Sequence, residues 1–189
     1  MRFLLPPVVT IALLGAISSS AYAAELLYTI PDGWNKSNGA CGIVSLMPKI
    51  TDVDSIAMIV IGPSQPLSGN LDASLSAAHS TIVRGLGTPV RTDKPEMGAA
   101  EGGGRACESD VKHSSGITFQ VRSLGFSAKD GKTFQTVHVC LSPGAKTRYS
   151  TEIAAFLRSI RFDGSPASPA PVAAPAPGKP VHAPAGENA

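Results

Sequence analysis

Three cysteines, four histidines and fourteen acidic residues are the side chains in this sequence that could begin chemistry. His138-Val139-Cys140 sets an imidazole and a thiol at i and i+2, on one face of a strand. Such a pair could start a copper or zinc site. Completing it would take Cys107 and His113, and the turns between them do not bring those two close. The pair reads better as a satisfied pair in a buried strand, so neither a metal nor a cofactor is expected. Hydrolysis would need a nucleophile with a base beside it. Gly62-Pro63-Ser64-Gln65-Pro66 lacks the second glycine of a nucleophile elbow and carries two rigid prolines. His79, His113 and His138 have no motif around them. His79 is expected at the surface or boundary of a helix, and His182 falls in the C-terminal segment. Asp32, Asp52, Asp54, Asp93, Glu96 and Asp130 fall in turns and loops, and a catalytic carboxylate pair is made in space rather than in sequence. Glu101-Gly102-Gly103-Gly104-Arg105 could cradle an anion through its amides. A strand follows it where a phosphate loop would open a helix, so it reads as a connection. No catalytic residue is assigned, and a non-catalytic role is favoured.

Whether the cysteines can pair depends on the compartment. Arg2 precedes an apolar stretch from Phe3 to Ile17, then Ser18-Ser19-Ser20 and Ala21-Tyr22-Ala23. A short basic region, an apolar region and small residues at −3 and −1 form a secretory signal peptide, cleaved between Ala23 and Ala24. The uninterrupted run Val8 to Ile17 is shorter than the roughly 20 residues a span needs. Cys41 lies too far along to carry a lipid anchor. The chain is therefore expected to be periplasmic or secreted, bacterial in character, with no membrane insertion once the signal is removed. Export permits a disulfide, and three cysteines allow at most one within the chain. Folding 105–112, 117–126 and 132–141 as a meander sets Cys107 level with Arg122 and Thr136. Cys140 then falls about four residues further along, beyond the roughly 7 Å that a bridge can span. A bridge from Cys41 to Cys107 or to Cys140 ranks above one between Cys107 and Cys140. The competing reading is three buried thiols.

These residues must be positioned by one domain over 24–163. Before it lies the signal segment 1–23. After it come residues 164–189, with seven Pro and eight Ala among 26 residues, a segment with nothing large to bury and expected to be extended. Charged residues are 16%, the net charge is +2 and aromatics are 5%. That composition argues against a basic nucleic-acid binder and against a stacking platform for bases. Glu25 to Pro31 and Gly42 to Met47 are short strand candidates. Ser55 to Gly62 is apolar on both faces and reads as a central strand. Asn70 to Leu86 reads as a helix with Asn70 as cap, Asp72 in the first turn, and Leu71, Leu75, Ala78, Ile82 and Leu86 on one face. Thr88 to Thr92 follows as an edge strand and Lys94 to Gly104 as a glycine-rich loop. Arg105 to Lys112, Ile117 to Phe126 and Lys132 to Leu141 are joined by His113-Ser114-Ser115-Gly116 and by a turn at Asp130-Gly131, which argues an antiparallel meander. Ser150 to Ile160 closes the domain as a helix, with Ser150 as its cap and Ile153, Phe156, Leu157 and Ile160 on one face. The fold class is α+β, an antiparallel β-sheet flanked by helices.

Tyr28-Thr29-Ile30-Pro31-Asp32-Gly33-Trp34 resembles the strand, Pro, x, Gly-Trp opening of PsbP-like domains. Phe156-Leu157-Arg158-Ser159-Ile160-Arg161-Phe162 resembles that family's closing helix, and the order of elements between them is similar. The resemblance spans about residues 25–163. It implies an α/β/α sandwich that works as a binding module or assembly subunit without catalytic residues. Similar domains serve as secretion chaperones and as small-GTPase binders, so fold leaves function open.

The functional expectation is an exported protein-interaction module, with a protein partner and no nucleic acid. The loop 63–69 and the stretch 98–104 are long for simple connections, and long loops in small domains are often binding elements. Gln65, Leu67, Glu96 and Met97 are the candidate partner-binding residues. The alternative is a small-molecule or metal-binding carrier, or a hydrolase without a recognisable motif.

Overall fold

Alternation along Thr133–Leu141 decides the layering. Val137 and Val139 point to one side of the strand, and Thr136, His138 and Cys140 to the other. All five are buried, so this strand must be covered on both faces. The computed structural model describes residues 26–49, 52, 54–91, 95–129 and 131–162. The expected signal segment 1–23 and tail 164–189 lie outside the described residues.

In chain order the elements are β1 (Leu26–Leu27), β2 (Trp34–Asn38), β3 (Val44–Pro48), β4 (Ala57–Ile61), β5 (Gln65–Pro66), α1 (Leu71–Leu86), β6 (Thr88–Pro89), β7 (Gly98–Ala99), β8 (Arg105–Lys112), β9 (Thr118–Ser127), β10 (Thr133–Leu141), α2 (Pro143–Arg148), α3 (Ser150–Ser159) and β11 (Arg161–Phe162). Single 3-10 turns occupy Ala40–Gly42 and Glu101–Gly103. The main sheet runs β2-β3-β4-β10-β9-β8-β6, with β5 on the start of β10 and β7 on the start of β8. Every pairing is antiparallel. Among the described residues β1 and β11 form a separate two-stranded ladder.

Helix α1 covers one face. Its Ile82, Val83 and Leu86 pack with Val111, Phe119, Val121 and Cys140. Asn70 caps it by accepting from the Ala73 amide at 2.8 Å, as its sequence position suggested. Helices α2 and α3 cover the other face, where Ala145, Tyr149, Ile153 and Phe156 join Leu46, Ile59, Ile61, Leu124, Val137 and Val139. Trp34 closes this core edge-on against Tyr149, with ring centroids 5.7 Å apart. The fold is therefore the expected α+β architecture, a large antiparallel sheet between helices.

Three readings change. The polar run Trp34–Asn38 is a strand, pairing with β3 at the sheet edge. Pro143-Gly144 stops β10 but also starts α2, because proline at the first helical position gives up an amide with no intrahelical partner. Gly144 is needed there, since a Cβ would lie 2.3 Å from the Asp54 carbonyl oxygen. Ser142, just before it, accepts from the Ile56 amide at 2.9 Å and donates to the Asp54 carbonyl at 3.0 Å, which ties the entry of β4 to the start of α2. Finally, Ser150 does not cap α3. It lies inside the helix with its hydroxyl donating to the Thr147 carbonyl, and Tyr149 takes the cap position.

Candidate functional site

The expected loop residues gather at one end of the sheet. Gln65 and Pro66 pair with Phe134 and Thr133, and the Leu67 amide bonds the Lys132 carbonyl at 2.7 Å. Gly98 and Ala99, directly after Glu96 and Met97, pair with Ala106 and Arg105. Arg105 lies opposite Gly125, and Phe134 opposite Ser127. Both loops therefore flank the β9–β10 turn. The 3-10 turn at Ala40–Gly42 joins the same end, where a Cβ on Gly42 would lie 3.5 Å from Pro63 Cβ. The two candidate loops are not in contact with each other. Four strand steps separate β5 from β7, about 19 Å at 4.8 Å per step. Glu96 is exposed, while Gln65, Leu67 and Met97 are half-buried.

Helix α1 fixes this rim. Arg105 donates to both carboxylate oxygens of Asp72, Nε to Oδ1 at 2.6 Å and Nη2 to Oδ2 at 3.0 Å, joining the start of β8 to the first helical turn. The guanidinium holds the Asp72 carboxyl below its ordinary range. On the other flank the Ser74 hydroxyl donates to the Ser68 carbonyl at 3.2 Å. Gly104 lets the rim close onto the sheet: a Cβ there would lie 2.6 Å from the Gly125 carbonyl oxygen.

The cysteines do not pair. Cys41 is exposed, Cys107 and Cys140 are buried, and all three are free. Neither expected bridge, Cys41 to Cys107 or Cys41 to Cys140, is present. Burial pushes the Cys107 thiol up to about 11 and the Cys140 thiol up to about 12, so both stay protonated and unreactive. The meander register also shifts. Cys107 faces Ser123, and Ser123 faces His138. Cys140 is thus two residues beyond the level of Cys107 rather than four, because the first turn takes in Ile117 and β10 enters its ladder later than the turn motif suggests. His138 and Cys140 do share a face. His113 sits at the far turn with its Nδ1 against the Ser115 hydroxyl, and no group of three potential ligands gathers among the described residues.

The arrangement that the sequence reading missed lies under α1. His79 is 2% exposed, not a surface residue. Its Nδ1 is 2.7 Å from the Ser123 hydroxyl and its Nε2 is 2.8 Å from the Ser109 hydroxyl. Ser123 in turn lies 2.7 Å from His138 Nδ1, and His138 Nε2 lies 3.1 Å from the Thr136 hydroxyl. Five side chains from α1, β8, β9 and β10 form one chain through the interior. Burial lowers both imidazoles, His138 to about 3, where the neighbouring His79 adds to the effect. Both rings are therefore neutral at pH 7. Ser123 has no exposed surface, so the chain is not a nucleophilic site. The signal that could have found it is spacing: His79 falls four residues after Leu75 and three before Ile82, on the apolar stripe of the helix.

No family model matches the chain, and no curated protein matches it. Among solved structures it is similar to LpqN of Mycobacterium tuberculosis, a protein involved in cell envelope biogenesis, with a TM-score of 0.53 and 11% identity over 78% of this chain and 87% of that one. At that identity the likeness shows a shared fold. No helix among the described residues is long and apolar enough to cross a membrane.

Proposed function

We propose that the chain is an exported, non-catalytic protein-interaction module of the cell envelope, with the loop-bearing end of its sheet as the binding surface. The observation that carries this reading is the convergence of 63–69 and 95–104, distant in sequence, on two flanks of one sheet end, each anchored to α1. A rim about 19 Å across suits a protein segment better than a small molecule. The fold shared with an envelope-biogenesis protein supports the compartment. Together with the Pro31 to Trp34 and Phe156 to Phe162 motifs, it supports reading the domain as PsbP-like. Gln65, Leu67, Glu96 and Met97 are the residues proposed to touch the partner, and residues 164–189 the tether that gives the domain reach. The test is a photo-crosslinking side chain placed in turn at Leu67, at Met97 and, at the opposite end of the sheet, at Ser115. The same single partner is expected from the first two positions and none from the third. Equal capture at Ser115, or none at either loop, overturns the reading. A metal or small ligand retained in stoichiometric amount by the purified protein would instead favour a carrier.

A further inference from the structure

The buried chain can be oriented by counting its protons. A neutral imidazole has one N–H and one acceptor nitrogen, and a hydroxyl donates once. Ser123 lies between two Nδ1 atoms and has no exposed surface, so accepting from both would leave its own proton unplaced; it therefore donates to one and accepts from the other. That choice propagates in both directions and leaves two arrangements of the whole chain. In one, donation runs from Ser109 to Thr136. The Thr136 hydroxyl then accepts from His138 and, buried, has no other side-chain partner among the described residues to take its own proton. In the other, donation runs from Thr136 to His138 Nε2, from His138 Nδ1 to Ser123, from Ser123 to His79 Nδ1, and from His79 Nε2 to Ser109. Every buried proton is then placed, and the chain ends at Ser109, which is half-exposed and can reach water. The second arrangement is the resting one.

This arrangement has no vacancy for a proton. Charging His138 at Nε2 strands the Thr136 hydroxyl proton. Charging His79 at Nδ1 strands that of Ser123, or that of Thr136 if the chain reverses. Charging both sets two cations against one hydroxyl, their Nδ1 atoms no further apart than twice 2.7 Å. We propose that the Ser109–His79–Ser123–His138–Thr136 chain is an acid-sensitive latch, complete only when both imidazoles are neutral, whose protonation unseats α1 and loosens the 63–69 loop that Ser74 ties to it.

Among the described residues nothing around the rings offsets an imidazolium. On α1 the nearest charges are Asp72, committed to Arg105 of β8, and Arg84, which is exposed. On β8 the group on the helix side is the Cys107 thiol, while Glu108 and Asp110 are exposed on the opposite face. On β9 Arg122 belongs to that opposite face as well. On β10 the remaining titratable group is Cys140, and β4 presents Met58, Val60 and Gly62. The two histidines have lowered folded values, so the stability they help to hold is present above about 6.5 and is lost as pH falls from there towards 3.

The test uses the full chain and needs no partner, so it stands apart from the proposed function. Imidazole nitrogen spectra at pH 7 should show His138 as the Nδ1–H tautomer and His79 as the Nε2–H tautomer. Hydrogen exchange, corrected for intrinsic rate, should show protection of α1 amides from Leu75 to Val83 falling below pH 6. The fall should approach about 100-fold per pH unit, the two-proton limit, while Val121 and Val137 keep their protection. H79Q leaves one titrating ring, since its amide can accept from Ser123 and donate to Ser109. Its α1 protection should fall about tenfold per unit. Should H79Q not fold, the wild-type spectra and exchange decide alone. Titration of either ring near 6.5 with α1 still protected, or loss of α1 and strand protection together, overturns the proposal.

Discussion

Ser123 is the residue on which both buried imidazoles depend. Replacing it with alanine leaves His138 a donor and His79 an acceptor without a partner, in an interior where each such group costs about 1–3 kcal/mol. Ser123→Ala should lower unfolding free energy by about 2–4 kcal/mol in urea denaturation at pH 7. Ser115→Ala, at an exposed turn, should stay within about 0.5 kcal/mol. The thiols give a second residue-scale expectation. Cys41 stands exposed on a turn with φ 58, whereas Cys107 and Cys140 lie under α1. A thiol reagent should label one cysteine per native chain and three in denaturant. Two fewer in denaturant would mean that a bridge forms on export. His79 shows why such residues hide in a sequence. A histidine in an apolar stripe looks the same whether it ends in water or meets a serine from another strand. Here the serines come from 30 and 44 residues away.

At the scale of elements, legibility followed burial on two faces. The three long strands read from the sequence lie within a residue or so of β8, β9 and β10, because apolar alternation and turn residues both mark them. Helix α1 and its cap were legible for the same reason. Strand β2 was not, since Asn35 to Asn38 are polar edge residues whose only signal is the partner they pair with. Strand β7 is two residues long and exists through its pairing with β8. Helix α2 was hidden by Pro143-Gly144, which signals a stop and a start alike. The candidate rim was half legible: loop length marked 63–69 and 98–104, but only the ladder could place them at one end. Gly144→Ala tests the least expected joint. Its methyl meets backbone at 2.3 Å, and the strand entry held by Ser142 cannot yield without breaking two hydrogen bonds. The substitution should cost about 2–3 kcal/mol, as overpacking of a fixed site does, measured as a lower urea midpoint with an unchanged slope.

Over the whole molecule, the β1–β11 ladder sets where the chain enters and leaves. Leu26 pairs with Phe162, so whatever precedes Leu26 and follows Phe162 departs from one point, at the α3 side of the sheet. The fold closes there. Leu26 is buried, its amide donates to Gln135 at 3.0 Å, and Ile160 is 3% exposed in the same core as Phe156. This closure lies beside the rim: Gln135, which accepts from the Leu26 amide, donates to the Gly62 carbonyl at 3.0 Å, and a Cβ on Gly102 would lie 3.8 Å from the Ile160 carbonyl oxygen. Stepwise truncation follows from this closure. Removing 165–189 takes away no residue of either core and should leave Tm within about 5 °C, as ordering a Pro/Ala segment offers little apolar area to offset its entropy. Ending the chain after Ser159 removes Ile160 and the strand that β1 pairs with. Loss of one buried aliphatic side chain costs about 2–4 kcal/mol. For a domain of this size that should lower Tm by on the order of 10 °C and release Leu26 to hydrogen exchange along with Phe156. A large drop on the first cut would mean that the tail docks on the domain, and a negligible drop on the second would mean that β1 and β11 do not hold the ends together.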